Sequence, residues 1–281
     1  APQARALADD LAERSRPENA RYRYDYYTAN CATMVRDAID EALGGGLHAQ
    51  LSGRSRGNTY RSESVRLASP SPWMWLGFDL GLGPFADRPL SRWQEAFVPM
   101  RLADALRQAR NSDGRPLVMA EQELLPQRLP AEPVEQPRRW WPWLLAGLVL
   151  AAGILAAARR PRLLGATTLA LWLPSAIVSA LLLFLWLASD HVAAWGNRNL
   201  WLAVPATVAL LPPAIGLLRR SRQGRITVLL AWLPVACDIA ALLQYWLAPQ
   251  PQYNLPWIVL LLPVHAALAW ALQRRLSVHT D

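Results

Sequence analysis

The pattern of apolar and polar positions changes abruptly about halfway along the chain. Up to residue 137, apolar and charged residues are mixed as in a soluble domain, whereas from Trp140 onward Leu, Ala, Val, Ile and Trp dominate. A helix needs roughly 20 apolar residues to cross a hydrocarbon core of about 30 Å. Five nearly uncharged stretches reach that length, which predicts an all-α polytopic membrane domain over 139–275. The predicted spans are 140–158, 163–188, 200–218, 226–247 and 256–272.

The net charge of +8 is concentrated in the membrane part and predicts its orientation. Residues 1–137 hold 17 arginines against 18 acidic residues, whereas residues 138–281 hold 12 arginines against 3 acidic residues. The first and third loops between spans and the C-terminal tail together carry nine arginines, and the second loop carries only Arg198. Because positively charged loops stay in the cytoplasm, we predict a cytoplasmic tail at 276–281 and an N-terminal region outside.

Two ionisable residues and an internal repeat mark the membrane part. Asp238 and His265 lie near mid-depth in the fourth and fifth spans. Charge buried in a membrane is costly and is usually paired or functional, so we predict that these two residues pair between antiparallel neighbours. The pattern Trp-Leu-Pro-x-Ala occurs at 172–176 and 232–236, followed each time by a returning span. This predicts duplicated hairpins, either as a structural duplication or as a transporter-like repeat.

The N-terminal region has the features of a domain that extends over 1–124, joined to the spans by a proline-rich linker at 125–138. A first helix is predicted to end near Ser15, and alternating tyrosines at 22, 24 and 26 predict a strand. Asn30 is a favoured helix N-cap. Apolar positions 35, 38, 39 and 42 predict a helix that begins after Asn30 and ends at three consecutive glycines.

Cys31 is the main candidate for chemistry. It lies in the first turn of that helix, four residues before Val35, and is therefore predicted to face the packed side. The other cysteine, Cys237, lies in a membrane span, which leaves Cys31 without an evident disulfide partner. The free amides and dipole of a helix start favour a thiolate. An unpaired thiol outside the cytoplasm is a candidate nucleophile, and an inert buried cysteine is the alternative.

A series of short motifs resembles the periplasmic domain of the bacterial lipoprotein N-acyltransferase Lnb family. The motifs are Tyr24-Asp-Tyr-Tyr27, Asn30-Cys31, Arg36-Asp37, Thr59-Tyr60-Arg61 and the run at 87–97. The resemblance covers most of residues 1–125. It implies a partial papain-like α+β domain in the periplasm, attached to a multi-pass domain in the bacterial inner membrane.

The same resemblance implies roles for individual residues. Cys31 would be the nucleophile, with Asn30 as the helix cap beside it. The thiol would take an acyl chain from a phospholipid as a thioester and pass it to the N-terminal amine of a lipoprotein. Tyr27, Tyr60 and Arg61 are the candidate substrate-binding residues, although Tyr60 and Arg61 are equally typical of a plain strand. The neighbouring Arg36 and Asp37 have two alternative roles, a structural ion pair, which we favour, and the orientation of substrate.

The catalytic base is expected upstream of Ala1. In the family a histidine motif precedes the Asn-Cys helix, so we expect a preceding segment to supply the base and the chain alone to be inactive. His48 lies past a helix of about 13 residues, roughly 20 Å from Cys31, and is predicted to be a surface residue. His191 follows the second span and His279 lies in the tail.

Two other functions remain open at this point. One is a thiol amidase or peptidase of the cell envelope, and the other is a non-catalytic membrane scaffold or transport-associated protein. Basic residues are not interleaved with aromatics as in nucleic-acid-binding surfaces, which argues against nucleic acid as a partner. No metal-ligand spacing, phosphate loop or dinucleotide fingerprint points to a metal or cofactor. The predicted partners are therefore a phospholipid, a lipoprotein N-terminus and the membrane.

Overall fold

A computed structural model describes residues 2–126, 128, 130–219 and 224–277 of the chain. The helices are α1 (Pro2–Arg14), α2 (Cys31–Ala42), α3 (Gly46–Leu51), α4 (Tyr60–Ala68), α5 (Pro72–Gly81), α6 (Arg92–Glu95), α7 (Pro99–Gln108), α8 (Trp141–Ala157), α9 (Pro161–Leu187), α10 (Leu211–Leu218), α11 (Arg225–Leu247) and α12 (Leu255–Ser277). The strands are β1 (Arg54–Thr59) and β2 (Pro89–Ser91). The predicted loop residues Arg220 and Arg222, and His279 in the predicted tail, lie outside the described residues.

The chain divides into two compact units whose boundaries do not follow the sequence order. The first unit comprises Ala1–Leu67 and Arg88–Pro133, and the second comprises Ala68–Asp87 and Val134–Asp281. The sequence pattern assigned residues 68–87 to the N-terminal domain, whereas the structure groups them with the membrane helices. The domain boundaries drawn from the sequence stay a prediction.

The first unit is mostly helical, with one two-stranded antiparallel sheet in its described part, formed by β1 and β2. One part of its core comes from α3 and α7, where Leu47, Leu51 and Ala105 are buried together. The predicted first helix is confirmed as α1. The predicted linker has no regular structure in its described residues, and Arg66 of α4 donates hydrogen bonds to Glu132 and to the Pro133 carbonyl in its middle.

The strand predicted at the alternating tyrosines is wrong. Residues 21–24 have no regular structure, and Asp25 forms only an isolated bridge with Ala29. Tyr22, Tyr24 and Tyr26 are exposed, and their rings contact one another in series at centroid distances of 6.4 and 6.1 Å. In an extended chain, alternate side chains lie on the same side. Here the three tyrosine rings on that side contact one another and do not pack into a core.

The predicted helix after Asn30 is confirmed as α2, but its predicted packed face is wrong at one position. Val35 is 52% exposed, whereas Thr33, Arg36 and Ala38 are buried. The Arg36 guanidinium lies over the ring of Trp93 at 3.9 Å and donates a hydrogen bond to the Trp93 carbonyl. The apolar stem and the satisfied guanidinium let Arg36 occupy an interior position that an apolar pattern cannot indicate.

The second unit contains the apolar helices. Three of them in the described part of the chain, α9, α11 and α12, are long and apolar enough to cross a membrane. A bent pair of segments at 192–201 and 205–218 passes the same test when it is counted as one broken span. The structure therefore has three or four candidate spans by length and composition. The 17-residue helix α8 is apolar but shorter, so the fifth span stays a prediction.

The stretch predicted as the third span, 200–218, is not one continuous helix. This stretch consists of a 3₁₀ segment at Arg198–Trp201, a second at Pro205–Leu210, and then α10. Pro205 begins the second segment, and two further prolines follow Leu211 at the start of α10. Proline has no backbone N–H for the helical ladder, so it is favoured where a helix begins and disfavoured within one.

Small residues allow close packing among the apolar helices. A Cβ added at Gly147 of α8 would lie 2.4 Å from the Leu260 carbonyl oxygen of α12. A Cβ at Gly165 of α9 would lie 2.9 Å from the Leu217 side chain of α10. Such glycines let backbones approach where the surrounding solvent is lipid and offers no hydrophobic driving force.

Candidate functional site

Cys31 is the first residue of α2, and its side chain is exposed and forms no disulfide. The predicted orientation toward the packed side is therefore wrong. The inward positions at this helix start belong instead to Asn30 and Thr33, which are both buried. An exposed sulfur beside the free amides of a helix start is accessible to a reaction partner from outside the domain.

A reciprocal capping arrangement fixes the helix start next to Cys31. The Asn30 side-chain oxygen accepts a hydrogen bond from the Thr33 amide at 2.9 Å, and the Thr33 hydroxyl accepts one from the Asn30 amide at 2.8 Å. Each side chain satisfies an amide that the helix itself leaves unpaired. The cap predicted at Asn30 is confirmed, and the contribution of Thr33 is the part that the sequence argument missed.

The amide group of Asn30 also connects the helix start to two other segments. Its nitrogen donates to the Tyr26 carbonyl at 2.8 Å and to the Phe97 carbonyl at 2.9 Å. The cap therefore uses both the acceptor and the donors of one side chain. This accounts for an asparagine at the position before Cys31, because a serine or threonine cap could not make both of these bonds.

An aromatic cluster lies beneath the same segment. The rings of Tyr27, Tyr60 and Phe97 are buried, and their centroids are 4.5 to 5.2 Å apart. The Tyr27 hydroxyl shares a 2.9 Å hydrogen bond with Ser64. Burial raises the pKa of Tyr27 to about 12 and also raises the pKa of Tyr60. Both hydroxyls are thus neutral at physiological pH and serve packing.

The candidate substrate-binding residues are all interior side chains. Tyr27 and Tyr60 belong to the aromatic cluster, and Arg61 is buried at the start of α4. Tyr60 and Arg61 lie in a helix, so the alternative that placed them in a strand is wrong. A role for these three residues in substrate binding stays a prediction.

Asp25 organises the turn that leads into the site. Its carboxylate accepts hydrogen bonds from the Tyr27 amide, the Thr28 amide and the Thr28 hydroxyl at 2.7 to 3.0 Å. Partial burial by itself would raise the pKa of the Asp25 carboxyl, but the bonds from Thr28 and Tyr27 outweigh it and hold the pKa below the usual range. An aspartate often starts a turn by accepting a hydrogen bond from the backbone amide two residues later, as Asp25 does here from Tyr27. The sequence analysis did not use this signal.

The other polar groups of the first unit have separate roles. His48 is exposed and packs edge-on against Trp93 at 4.7 Å, as expected for a surface histidine. Arg36 and Asp37 form the predicted ion pair at 2.7 Å. A cleft of about 280 Å³ is lined by charged residues of β1, α6 and α7, and Cys31 is not among them. Within the described residues, no group of three or more His, Cys, Asp and Glu side chains is arranged to hold a metal.

The second unit contains the predicted pair of ionisable residues. His265 Nδ1 and Asp238 Oδ2 are 2.7 Å apart, and both side chains are almost completely buried. The Trp172 ring stacks on His265 with centroids 5.0 Å apart. The contact between Asp238 and His265 is confirmed, and a functional role for it stays a prediction.

Unpartnered polar atoms lie on Asp238 itself and along α9, the helix whose Trp172 stacks on His265. Asp238 Oδ1, Trp172 Nε1, Ser175 Oγ and Ser179 Oγ are buried and have no hydrogen-bond partner among the described residues. Trp172, Ser175 and Ser179 are spaced three and four residues apart and therefore share one face of α9. Buried polar groups that lack a partner are costly, so this stripe is not explained by packing alone.

Most of the chain matches known protein families. Residues 135–275 match the Lnb transmembrane domain, and residues 1–67 match the Lnb N-terminal periplasmic domain. The first match alone covers half of the chain. The chain belongs to the Lnb family. No curated protein and no solved structure gave a significant match.

Family membership assigns the two sites to two domains. Cys31 and its cap lie in the Lnb N-terminal periplasmic domain, and Asp238 and His265 lie in the Lnb transmembrane domain. The Lnb family implies a membrane protein with a lipoprotein N-acyltransferase-type role. Residues 68–134, which include α5, lie outside both matches.

Proposed function

We propose that the protein is a membrane-anchored thiol acyltransferase in which Cys31 transfers an acyl chain from a phospholipid to the N-terminal amine of a lipoprotein. The observation that carries this proposal is the exposed, disulfide-free thiol at a rigidly capped helix start in the periplasmic domain. We also propose a partial papain-like fold for that domain, in which such a helix start is the site of the nucleophile.

The reaction takes place in two steps. The Cys31 thiol transfers its proton to a base, and the thiolate attacks the ester carbonyl of the phospholipid. The carbon–oxygen bond breaks, the leaving alkoxide takes up the proton as lysophospholipid departs, and a thioester remains on Cys31. The lipoprotein amine then attacks the thioester carbonyl, loses its proton to the base, and forms an amide as the protonated thiol is released.

Backbone amides at the start of α2 are suited to stabilising both tetrahedral intermediates. The side-chain cap satisfies the amide of Thr33, whereas the amides at the very start of a helix point outward and have no intrahelical partner. Donors fixed in advance of the reaction stabilise a developing oxyanion without reorganisation. The Cys31 amide is the donor that we assign to this role.

The membrane domain supports the choice of substrate. We propose that α8, α9, the broken stretch at 200–218, α11 and α12 form five spans, with the N-terminal domain in the periplasm of the bacterial inner membrane. At about 1.5 Å per residue the 17 residues of α8 extend roughly 26 Å, which is near the thickness of a bilayer core. Five spans would anchor the enzyme in the membrane, where both the acyl donor and the lipidated acceptor reside.

Mass spectrometry of lipoproteins tests this function in a strain whose full-length gene carries Cys31→Ala. We expect N-acylation to be lost, because no other residue supplies the thioester. Cys237→Ala is the matched control, since it removes the only other cysteine, and it should leave N-acylation intact. Unchanged N-acylation in Cys31→Ala would remove the acyltransferase proposal, and altered peptidoglycan peptides in that strain would favour a thiol amidase.

The same measurement tests the acyl donor. Transfer from a phospholipid adds one acyl group to the mass of the lipoprotein and carries label from isotopically labelled phospholipid. An N-acylated product whose mass has not increased would show that the chain came from the lipoprotein's own glyceryl ester. That outcome would overturn the phospholipid assignment and leave the Cys31 chemistry standing.

A further inference from the structure

The helix α5 has one exposed apolar face, and its opposite face packs against the apolar helices of the second unit. Its sequence, Pro-Trp-Met-Trp-Leu-Gly-Phe-Asp-Leu-Gly, contains a single charged residue, Asp79. Trp73 is 75% exposed, and Met74 and Leu76 are also exposed. The three side chains are contiguous, so they form one apolar patch rather than scattered surface residues.

Aromatic stacking attaches α5 to the first turns of two apolar helices. The Trp75 ring lies 6.0 Å from that of Trp143 and 6.4 Å from that of Trp257, and the latter two rings are 4.8 Å apart. Trp143 is in the first turn of α8 and Trp257 is in the first turn of α12. The inner face of α5 is therefore at the level of the N-terminal ends of both helices.

The one charge of α5 is neutralised on the same inner face. Asp79 is buried and forms a two-pronged ion pair with Arg138, both distances being 2.6 Å. Its carboxylate also accepts a hydrogen bond from Trp257 Nε1. With Asp79 turned inward and paired, the exposed face of α5 is uncharged.

The end of α5 is held by side chains of two loops. Asn197 and Asn199 both donate to the Leu80 carbonyl, and Gln252 donates to the Leu82 carbonyl. Carbonyls at a helix end have no partner within the helix, so these amides complete its hydrogen bonding. Asn197 and Asn199 lie between α9 and α10, and Gln252 lies between α11 and α12. Both of these loops are on the predicted outer side.

Gly83 shows how closely this segment approaches the loop between α9 and α10. Its amide donates to the Ala193 carbonyl at 2.7 Å, and a Cβ added there would lie 2.3 Å from the Trp195 carbonyl oxygen. The approach leaves no room for a side chain. Residues 75–83 are thus attached to the predicted outer ends of the membrane helices by a series of contacts.

We propose that α5 is an interfacial helix that lies in the outer leaflet and binds lipid through Trp73, Met74 and Leu76. Tryptophan is favoured at the boundary between headgroups and acyl chains, and helices that lie in this plane expose a continuous apolar face to lipid. The occupant is the bilayer itself, because the patch is continuous with the outer ends of helices that must already be surrounded by lipid. This proposal is independent of the chemistry at Cys31.

Spin-label accessibility tests the proposal in the full chain reconstituted in lipid vesicles. The background carries Cys31→Ser and Cys237→Ala, and Trp73→Cys supplies the label position. Val149→Cys, 71% exposed in the middle of α8, is the control for lipid contact, and Met119→Cys, 81% exposed in the first unit, is the control for water contact. We expect the label at 73 to be relaxed by oxygen and shielded from a water-soluble nickel complex, with an accessibility to nickel between those at 149 and 119, as for a residue at the boundary between headgroups and acyl chains.

Two outcomes would overturn the proposal. Accessibility to the nickel complex equal to that at position 119 would place α5 in water. Shielding from both reagents, together with spin–spin broadening that grows with protein density, would assign the patch to a second copy of the chain. The readout does not depend on activity, so failure of the acyltransferase function would leave this test unaffected.

Discussion

At the scale of single residues, Asn30 contributes most to the geometry of the site. Its side chain accepts from the Thr33 amide while it donates to the carbonyls of Tyr26 and Phe97. One buried amide group thus positions the start of α2 relative to two other segments of the domain. The orientation of Cys31 follows from these bonds, because the residue after a fixed cap has little freedom.

Replacement of Asn30 by alanine should loosen the helix start without touching the thiol. Loss of an N-cap costs about 0.5–2 kcal/mol, and a stranded buried carbonyl costs about 1–3 kcal/mol. We expect hydrogen–deuterium exchange in the first turn of α2 to rise by roughly tenfold or more, since about 1.4 kcal/mol corresponds to a factor of ten.

Asn30→Ser separates the two contributions of this residue. Serine keeps an acceptor for the Thr33 amide and loses the donors to Tyr26 and Phe97, so its exchange rate should fall between those of wild type and Asn30→Ala. If Asn30→Ala exchanges like the wild type in this turn, the cap is not what holds Cys31 in place.

At the scale of elements, the packing of the apolar helices depends on where their small residues lie. The helices α8, α9 and α11 are apolar around their whole circumference, so their sequences carry almost no signal for which face meets a neighbour. Gly147 marks the face of α8 that contacts α12, and Gly153, in the same helix, has no atom within 4 Å of an added Cβ.

These two glycines provide a matched pair of substitutions. Gly147→Ala places a methyl group 2.4 Å from the Leu260 carbonyl and 2.9 Å from the Pro263 ring, so α8 and α12 must separate. We expect it to destabilise the protein by about 1–3 kcal/mol, as overpacking does. Gly153→Ala adds a methyl group in open space and should be neutral or slightly stabilising, because alanine is the better helix former. Thermal unfolding in detergent measures both, and equal shifts would contradict the close approach.

For the polar pair of Asp238 and His265, the sequence predicted the contact but not its surroundings. Each residue lies in a helix that also contains a proline, Pro234 or Pro263, and both helices continue through it. The sequence indicated the depth of each residue in its span, and this was enough to predict the pair. Neither the stacking of Trp172 on His265 nor the unpartnered atoms along α9 follows from that depth.

At the scale of the whole molecule, the distribution of arginine predicts the topology. The one arginine of the second loop, Arg198, donates to Gln244 and to the Gln250 carbonyl, so the residue that opposes the charge rule has a structural role. Its contacts connect the α9–α10 loop to the α11–α12 loop on the predicted outer side. Its presence therefore does not contradict the predicted orientation.

Cysteine labelling in intact cells tests that orientation. In a background without Cys31 and Cys237, a membrane-impermeant maleimide should label Val192→Cys, which lies in the predicted outer loop. Gly224→Cys, in the predicted inner loop before α11, should react only after the membrane is permeabilised. Labelling of Gly224→Cys in intact cells would contradict the predicted orientation.

The sequence by itself determined the features that depend on local or additive properties. The apolar content of a stretch sets whether it can span a membrane, the charge of short loops predicts the orientation, and an asparagine cap sets where α2 begins. The ordered motifs from Tyr24 to the run at 87–97 sufficed to indicate the Lnb family. The helix cap and the motifs each depend on a few neighbouring residues, and the apolar content and the loop charge are sums over a stretch of the chain.

Only the tertiary structure decided which faces are buried and which distant segments meet. Cys31 is exposed because Thr33 and Arg36 occupy the interior positions, and Arg36 does so only because the ring and carbonyl of Trp93 receive it. Residues 68–87 join the membrane unit because amides more than a hundred residues away bind their carbonyls. Such contacts produce no periodic pattern in the sequence of either segment. The donor and the acceptor are far apart in the chain, and they form a hydrogen bond only after folding has brought them together.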